Sequence, residues 1–376
     1  MTPPIGVNGD NFRDPTTAWQ GPDGTWKVVI GSYSNKQGMA IIYQSKDFVN
    51  WTMHPKPLYS TSKTDMWECP DFFPVSINNT NGVETSVTNP SVRHVMKASF
   101  NSHNYYFVGT YDTEQENKKN RRILWAWVNE SNSSEDDIHK GWSGLQAIPR
   151  KIWIDRSGKQ LVQWPVEELN NLRDNQVYVY GKHLKSGSVF EVSGITASKV
   201  DIETMFELPE LEEAEFMDTS LVDPQLICDR KDSFVTGKYG PFVSRRDWLL
   251  LSRTIHSCAI GHPHSFDSMF KHVIYRSSLR NNLDKTTYGA FVDIDLHQEM
   301  VPLRTLIDHS IIESFGGKGR TCITARVYPK LAINNEGHLF AFNNGTLSVT
   351  ISSLHAWSLN KAKINCRGSL ENTESC

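Results

Sequence analysis

Two short stretches of this sequence combine residue types that do acid–base chemistry. In Asn11-Phe12-Arg13-Asp14-Pro15-Thr16 an arginine stands beside an aspartate, ahead of a proline. At a strand–turn edge such a pair can hold a substrate hydroxyl and steer a second carboxylate. Taken alone, Arg-Asp-Pro is also a common turn with a local charge pair, worth little energy when exposed. In Met66-Trp67-Glu68-Cys69-Pro70-Asp71-Phe72-Phe73-Pro74 a glutamate is flanked by Trp, Cys and Pro and followed by aromatics. Desolvation in an apolar setting favours the neutral carboxyl, the form a general acid needs. The plainer reading of Glu68 is a rim residue or one half of a buried ion pair.

The elements that must position these groups are short strands. Residues 25–32 (TWKVVIGS), 38–44 (GMAIIYQ), 122–128 (RILWAWV) and 151–154 (KIWI) are runs of β-branched and aromatic residues. Turn signals separate them: Gly21-Pro22-Asp23-Gly24, Ser34-Asn35 and Ser157-Gly158-Lys159. No helical period is sustained over a long window, although 165–172 predicts a short helix. Repeated short strands without intervening helices predict an all-β chain, a propeller or a sandwich. The polar stretch 76–91 and the acidic stretch 130–137 read as loops, and the acidic stretch 207–218 as a solvated face. A boundary near 172–175 divides the chain into 1–173 and 174–376. Beyond it a fresh set of strands begins, at 176–181, 188–192, 321–327, 338–342 and 348–352. These read as a second β domain, a sandwich.

Composition narrows the function classes. The 376 residues suit one large domain or two medium ones. With 38% hydrophobic and 22% charged residues the chain has enough apolar surface to fold. A net charge of −3 argues against a nucleic-acid partner, which calls for a basic patch. No run approaches the roughly 20 apolar residues of a membrane-spanning helix. Eleven tryptophans are many; most should fill β cores, but aromatic faces also line sugar-binding clefts. Five Asn-x-Ser/Thr sequons, at Asn50, Asn78, Asn129, Asn132 and Asn344, suit a secreted glycoprotein. Met1-Thr2-Pro3-Pro4 lacks the basic and apolar regions of a signal peptide, so a leader is expected to be missing from these residues. The six cysteines are an even number, compatible with disulfides without fixing any pair. His256, Cys258, His262 and His264 superficially resemble a ligand cluster but lack standard zinc spacing, so neither metal nor cofactor is expected.

In this order and at this separation, the two carboxylate stretches resemble glycoside hydrolase family 32. The resemblance continues through residues 31–51, 120–129 (NRRILWAWVN), 141–172 (GWSGLQAIPRKIWIDRSGKQLVQWPVEELNNL), 308–329 (DHSIIESFGGKGRTCITARVYP) and 340–346 (FAFNNGT). These stretches look like plant acid invertases, and Pro70 after Glu-Cys looks like the cell-wall subgroup, since vacuolar relatives usually show Val there. Plant fructan exohydrolases share that look. The resemblance implies a five-bladed β-propeller followed by a β-sandwich, and retaining hydrolysis of sucrose or another β-fructoside. The two reacting carboxyls of a retaining enzyme lie about 5 Å apart. Glu68 matches the acid/base and Asp14 the transition-state stabiliser. Arg13 matches a neighbouring arginine that contacts substrate, while Trp67 and Cys69 are expected to shape the pocket around Glu68. A secreted, cell-wall location and a proteinaceous invertase inhibitor as partner are also implied.

The sequence departs from the family in four places. The family nucleophile sits in an Asn-Asp-Pro-Asn-Gly-type motif of the first blade, upstream of Arg-Asp-Pro. The Asp-Pro pairs here are Asp14-Pro15 and Asp223-Pro224, and neither replaces it. The expectation is an incomplete propeller that cannot form a glycosyl-enzyme, inactive as it stands. A non-catalytic sugar-binding remnant and an incomplete gene are the readings that compete with a working enzyme. After Tyr111-Asp112 a segment carrying an Asp and a Lys that help select sucrose appears deleted. Residues 243–265 (VSRRDWLLLSRTIHSCAIGHPHS) look frame-shifted or mis-spliced. A cysteine that the family carries before Arg276 is missing, which by the resemblance leaves Cys228 without its usual disulfide partner.

Overall fold

Alternation of apolar and polar residues pairs strand with strand along most of this chain. The computed structural model describes residues 1–21, 23–77, 83, 89–101, 103–110, 122–130, 132–207, 259–260, 267–275, 283, 287–295, 300–329, 337–343 and 348–362. The strands begin with β1 (Phe12–Arg13), β2 (Trp19–Gln20), β3 (Trp26–Ser34), β4 (Gln37–Ser45), β5 (Thr52–Met53), β6 (Tyr59–Ser62), β7 (Glu68–Ser76), β8 (Val92–Phe100) and β9 (His103–Gly109). There follow β10 (Ile123–Leu124), β11 (Trp127–Val128), helix α1 (Ser134–Lys140), β12 (Leu145–Gln146), β13 (Arg150–Ile154), β14 (Leu161–Pro165) and a 3-10 segment over Glu167–Leu172. The rest comprises β15 (Arg173–Leu184), β16 (Val189–Glu191), β17 (Lys199–Glu207), β18 (Ala259–Ile260), β19 (Asp267–Tyr275), β20 (Thr287–Asp295), β21 (Met300–Asp308), β22 (Ile311–Gly316), β23 (Thr321–Arg326), β24 (Phe340–Phe342) and β25 (Val349–Leu359).

The all-β expectation holds, and the short helix expected at 165–172 is the 3-10 segment. One expectation fails. Residues 130–137 are not a loop throughout, because α1 starts inside them. The Ser133 hydroxyl accepts from the Asp136 amide and the Asp136 carboxylate from the Ser133 amide, a capping box. Three acidic residues in the first turn complement the helix dipole, and Gly141 at φ 79° closes the helix in the left-handed region. The Ser-x-x-Asp spacing ahead of a glycine was the available signal. Most of 76–91, all of 208–218 and residues 243–258 lie outside the described residues. So do Cys228, His256, Cys258, His262 and His264.

The chain divides into two compact units, Met1–Leu124 with Lys151–Val162, and Trp125–Arg150 with Gln163–Cys376. In the first, β1-β3-β4-β5 form a sheet that β2 and β6 join through β3 and β4, and β7-β8-β9 form another. The β3–β4 hairpin turns on Asn35 and Lys36, both at positive φ (52° and 60°), between the paired Ser34 and Gln37. Such a two-residue turn matches the twist of the strands it joins. The core here contains Trp19, Val29, Ala40, Ile42, Trp67, Phe72, Met96, Ala98 and Phe100.

Trp67 is the centre of that core, with no exposed surface. Its ring stacks on Phe100 at 5.2 Å and on Phe107 at 5.7 Å, and its indole N–H donates to Thr64 Oγ1 at 3.2 Å. Two glycines make room for it. A Cβ on Gly38 would lie 2.1 Å from the indole, and one on Gly31 would lie 2.0 Å from the Trp67 carbonyl oxygen. The second clash is with backbone, which cannot rotate away. Gly31→Ala is therefore expected to destabilise the protein by about 3 kcal/mol, at the upper end for overpacking. Denaturant midpoints measure this, and an unchanged midpoint would refute the close approach.

In the second unit the sheet order is β15-β25-β17-β21-β22-β23, with β16-β24 and β18-β19-β20 as further sheets. One face of the large sheet packs a core that includes Val200, Ile202, Phe206, Leu303, Ile307, Ile351 and Leu354. The opposite face carries Asp201, which is fully buried and accepts from Arg304 at 2.8 Å and from Arg173 at 2.7 Å. Period-2 alternation on β17 thus sorts Val200 and Ile202 from Asp201 and Glu203.

Candidate active site

The first unit brings together two segments that are 55 residues apart in sequence. One is Arg13-Asp14, at the end of β1. This strand is only two residues long and pairs Arg13 with Gly31 of β3. The next residues are pinned to the same strand: the Thr16 amide donates to the Val29 carbonyl at 2.8 Å, and the Val29 amide to Thr16 Oγ1 at 3.0 Å. Between these anchors Asp14 takes a positive φ of 59°, which turns the chain. The other segment is Glu68-Cys69, at the start of β7. A register shift between Glu68 and Asp71 interrupts pairing with β8, and Cys69 sits at φ 43°. Two non-glycine residues in the left-handed region, side by side, are a local strain of the kind that collects at functional sites.

The side chains interlock across the gap. Arg13 Nη2 donates to Glu68 Oε1 at 2.5 Å, and Arg13 Nη1 donates to the Asp10 carbonyl. Asp14 Oδ2 accepts the Cys69 backbone N–H at 2.9 Å, with the Cys69 sulfur 3.7 Å away. The bond to Glu68 holds the Arg13 guanidinium above its ordinary pKa. Burial pushes the Cys69 thiol up, and the neighbouring Asp14 carboxylate adds to this. A thiol so placed stays protonated and shapes the site rather than attacking.

Two expectations need correction. Glu68 is not in an apolar setting: its side chain is 49% exposed and ion-paired with Arg13, itself 43% exposed. The register shift at the start of β7 turns Glu68 and Cys69 outward while the aromatics before and after them turn in. Trp67, expected to line the pocket, has no exposed surface from which to touch a ligand. It supports the Glu68 turn from beneath.

Sequence reasoning missed Lys97 and Asp71. Lys97 on β8 reaches the Cys69 carbonyl at 3.4 Å and Ser99 Oγ at 3.2 Å. Burial lowers its pKa, and burial raises that of Asp71. Facing each other across β7 and β8, they form a half-buried charged pair beside the Glu68–Cys69 turn. A lysine set directly between the apolar Met96 and Ala98 on β8 was the available sign.

This arrangement has counterparts. The family model described as "Glycosyl hydrolases family 32 N-terminal domain" matches residues 1–118 and 114–165, and "Glycosyl hydrolases family 32 C terminal" matches 252–358. The two pieces of the first match meet at 114–118, beside the expected deletion and outside the described residues. The insoluble beta-fructofuranosidase isoenzyme CWINV1 of Arabidopsis thaliana is 48% identical over 96% of this chain and 69% of its own length. A fructan 6-exohydrolase of Beta vulgaris is 42% identical over 98% of this chain and 66% of its own length. The crystal structure of fructan 1-exohydrolase IIa from Cichorium intybus superposes with a TM-score of 0.88 at 47% identity, over 96% of this chain and 74% of that one. Both carboxylate segments lie inside the matched N-terminal domain. The chain accordingly belongs to glycosyl hydrolases family 32, as a plant glycosidase of the β-fructofuranosidase type with the propeller-plus-sandwich fold.

Proposed function

We propose that Glu68 and Asp14 are the acid/base and the transition-state stabiliser of a retaining β-fructofuranosidase that splits sucrose into glucose and fructose. The observation that carries this is the interlocked Arg13–Glu68 and Asp14–Cys69 pair, which holds two carboxylates on adjoining turns of one unit. Glu68 protonates the glycosidic oxygen and then takes a proton from the attacking water. Arg13 fixes the orientation of its carboxyl. Asp14 holds fructosyl hydroxyls, and its charge counts most as the oxocarbenium ion develops. Bound sugar supplies the desolvation that the open turn lacks. The propeller catalytic domain is assigned to 1–173 and the sandwich to 174–376. By likeness to relatives named insoluble isoenzymes the site of action is the cell wall, and the five sequons favour a secreted glycoprotein.

The nucleophile motif has no counterpart among these 376 residues. The test therefore uses two proteins: the 376-residue polypeptide, and the same polypeptide joined to a family first blade carrying Asn-Asp-Pro. The first is expected to bind sucrose or 1-kestose without releasing fructose. The second is expected to hydrolyse sucrose at acidic pH. Turnover by the first would remove the need for that nucleophile, and inertness of a well-folded second would overturn the assignment. The second reading, a fructan exohydrolase, is favoured by the 47% identity to the chicory enzyme. It wins if the joined protein releases fructose from 1-kestose faster than from sucrose.

A further inference from the structure

Strand β15 lies at the edge of the large sheet in the second unit, and its alternate residues behave differently. Val177 and Val179 pack against the core, while Tyr178 and Tyr180 are 65% and 60% exposed. Their rings stand 5.6 Å apart on the outer face. On the neighbouring β25, His355 and Trp357 continue the row, stacked at 5.7 Å. Exposing two tyrosines on a strand forgoes their burial energy without need, since Ser or Thr would serve a solvated face equally well.

The row is held rigid by its own polar edges. Tyr180 Oη lies 3.0 Å from His355 Nε2, and Gln176 Nε2 lies 3.0 Å from His355 Nδ1. At the far end the Arg173 guanidinium covers Trp357 at 3.8 Å and is itself bonded to Asp201 and Glu203. The surface therefore combines open ring faces, hydroxyl and amide edges, and an arginine, Arg173, that shares Asp201 and Glu203 with Arg304 beneath it. Rings fixed before binding lose little entropy when a ligand arrives.

We propose that this face is an ancillary carbohydrate-binding surface for a neutral, β-linked pyranose glycan. Equatorial hydroxyls leave such sugars flat apolar C–H faces for the rings, with polar groups at the rim for Tyr180 and Gln176. The two arginines are balanced by the two carboxylates, so they offer an acidic glycan no net positive charge. A second copy of the chain would have to pair with the β15 edge, but a register shift at Asp174/Gln176 and Gly181 at φ 57° break the flat ladder that edge pairing requires. The surface belongs to the unit that lacks Glu68 and Asp14, so the proposal stands apart from the catalytic assignment.

Isothermal titration of the whole chain with cellohexaose tests it, with inulin and a galacturonic acid oligomer as comparisons. Saturable binding of cellohexaose is expected, weakened about tenfold or more in Tyr178→Ala/Tyr180→Ala, a loss of about 1.4 kcal/mol or more. Tyr178→Phe, which keeps the ring, should bind like the parent. No binding by the parent, equal binding by the double alanine variant, loss of binding in Tyr178→Phe, or preference for the galacturonic acid oligomer would each overturn the proposal. So would sedimentation showing that the tyrosines support self-association and not glycan binding. Hydrolytic activity does not enter the readout, so a failed catalytic assignment leaves the result interpretable.

Discussion

Glu68→Gln, in the polypeptide joined to a first blade, is expected to lower kcat roughly 10²–10⁴-fold with KM little changed. The substitution keeps size and hydrogen-bonding capacity but can neither give nor take the proton that the leaving glucosyl oxygen and the attacking water require. Stability should stay near that of the parent. Glu68 is half exposed, and its pair with Arg13 is a surface ion pair of the kind worth about 0–1 kcal/mol. A fall in kcat without a fall in the unfolding midpoint therefore separates a chemical role from a structural one. Asp14→Asn should also lower kcat, since it removes the charge that stabilises the oxocarbenium-like state. It should in addition loosen the turn, because Asp14 accepts the Cys69 amide. A kcat for Glu68→Gln close to the parent's would remove Glu68 from the mechanism.

The largest stability effect is expected at Glu313 on β22, in the second unit. Its side chain has no exposed surface. Oε1 accepts from Arg150 Nη2 and from Thr324 Oγ1 at 2.7 Å, and Oε2 accepts the Ile148 amide at 2.6 Å. Arg150 in turn donates to Gln163 Oε1 at 3.1 Å. Glu313→Ala would strand a buried guanidinium and an unpaired backbone N–H, a loss of about 3–5 kcal/mol. The nearby Cys322 cannot replace the missing charge, because burial pushes its thiol up to about 12. The double variant Arg150→Met/Glu313→Leu should recover only the part of the loss due to the stranded guanidinium, because it removes that charge but leaves the Ile148 amide, Gln163 and Thr324 without their partners. Chemical denaturation of the three proteins decides this. A single variant within about 1 kcal/mol of the parent would mean that the pair is solvated, contrary to the buried geometry.

Much of this was legible in the residues. Strand runs such as 25–32 and 38–44 declare themselves by β-branched and aromatic content, and Ser34-Asn35 marks the turn between them; the strands extend to Trp26–Ser34 and Gln37–Ser45. Arg13-Asp14 and Trp67-Glu68-Cys69 could be picked out by type, because chemistry needs a carboxyl and an arginine whatever the fold. Family membership was readable too, since long stretches agree with relatives and not one short motif. The capping box of α1 is present in the sequence as Ser133-x-x-Asp136, with Asp in place of the usual Glu or Gln.

Other features belong to tertiary structure alone. That Glu68 faces solvent while Trp67 is fully buried depends on a register shift between two strands, and pairing register is a property of both partners. The need for glycine at Gly31 exists only because the carbonyl of Trp67, 36 positions away in the numbering, lies where a Cβ would stand. The burial of Asp201 and Glu313 follows from what packs over them, which no local pattern states. The sequence by itself determined which groups are available and which strands carry them. Tertiary structure decided which of those groups meet, and which of them water can reach, because desolvation and hydrogen-bond geometry arise only where distant segments come together.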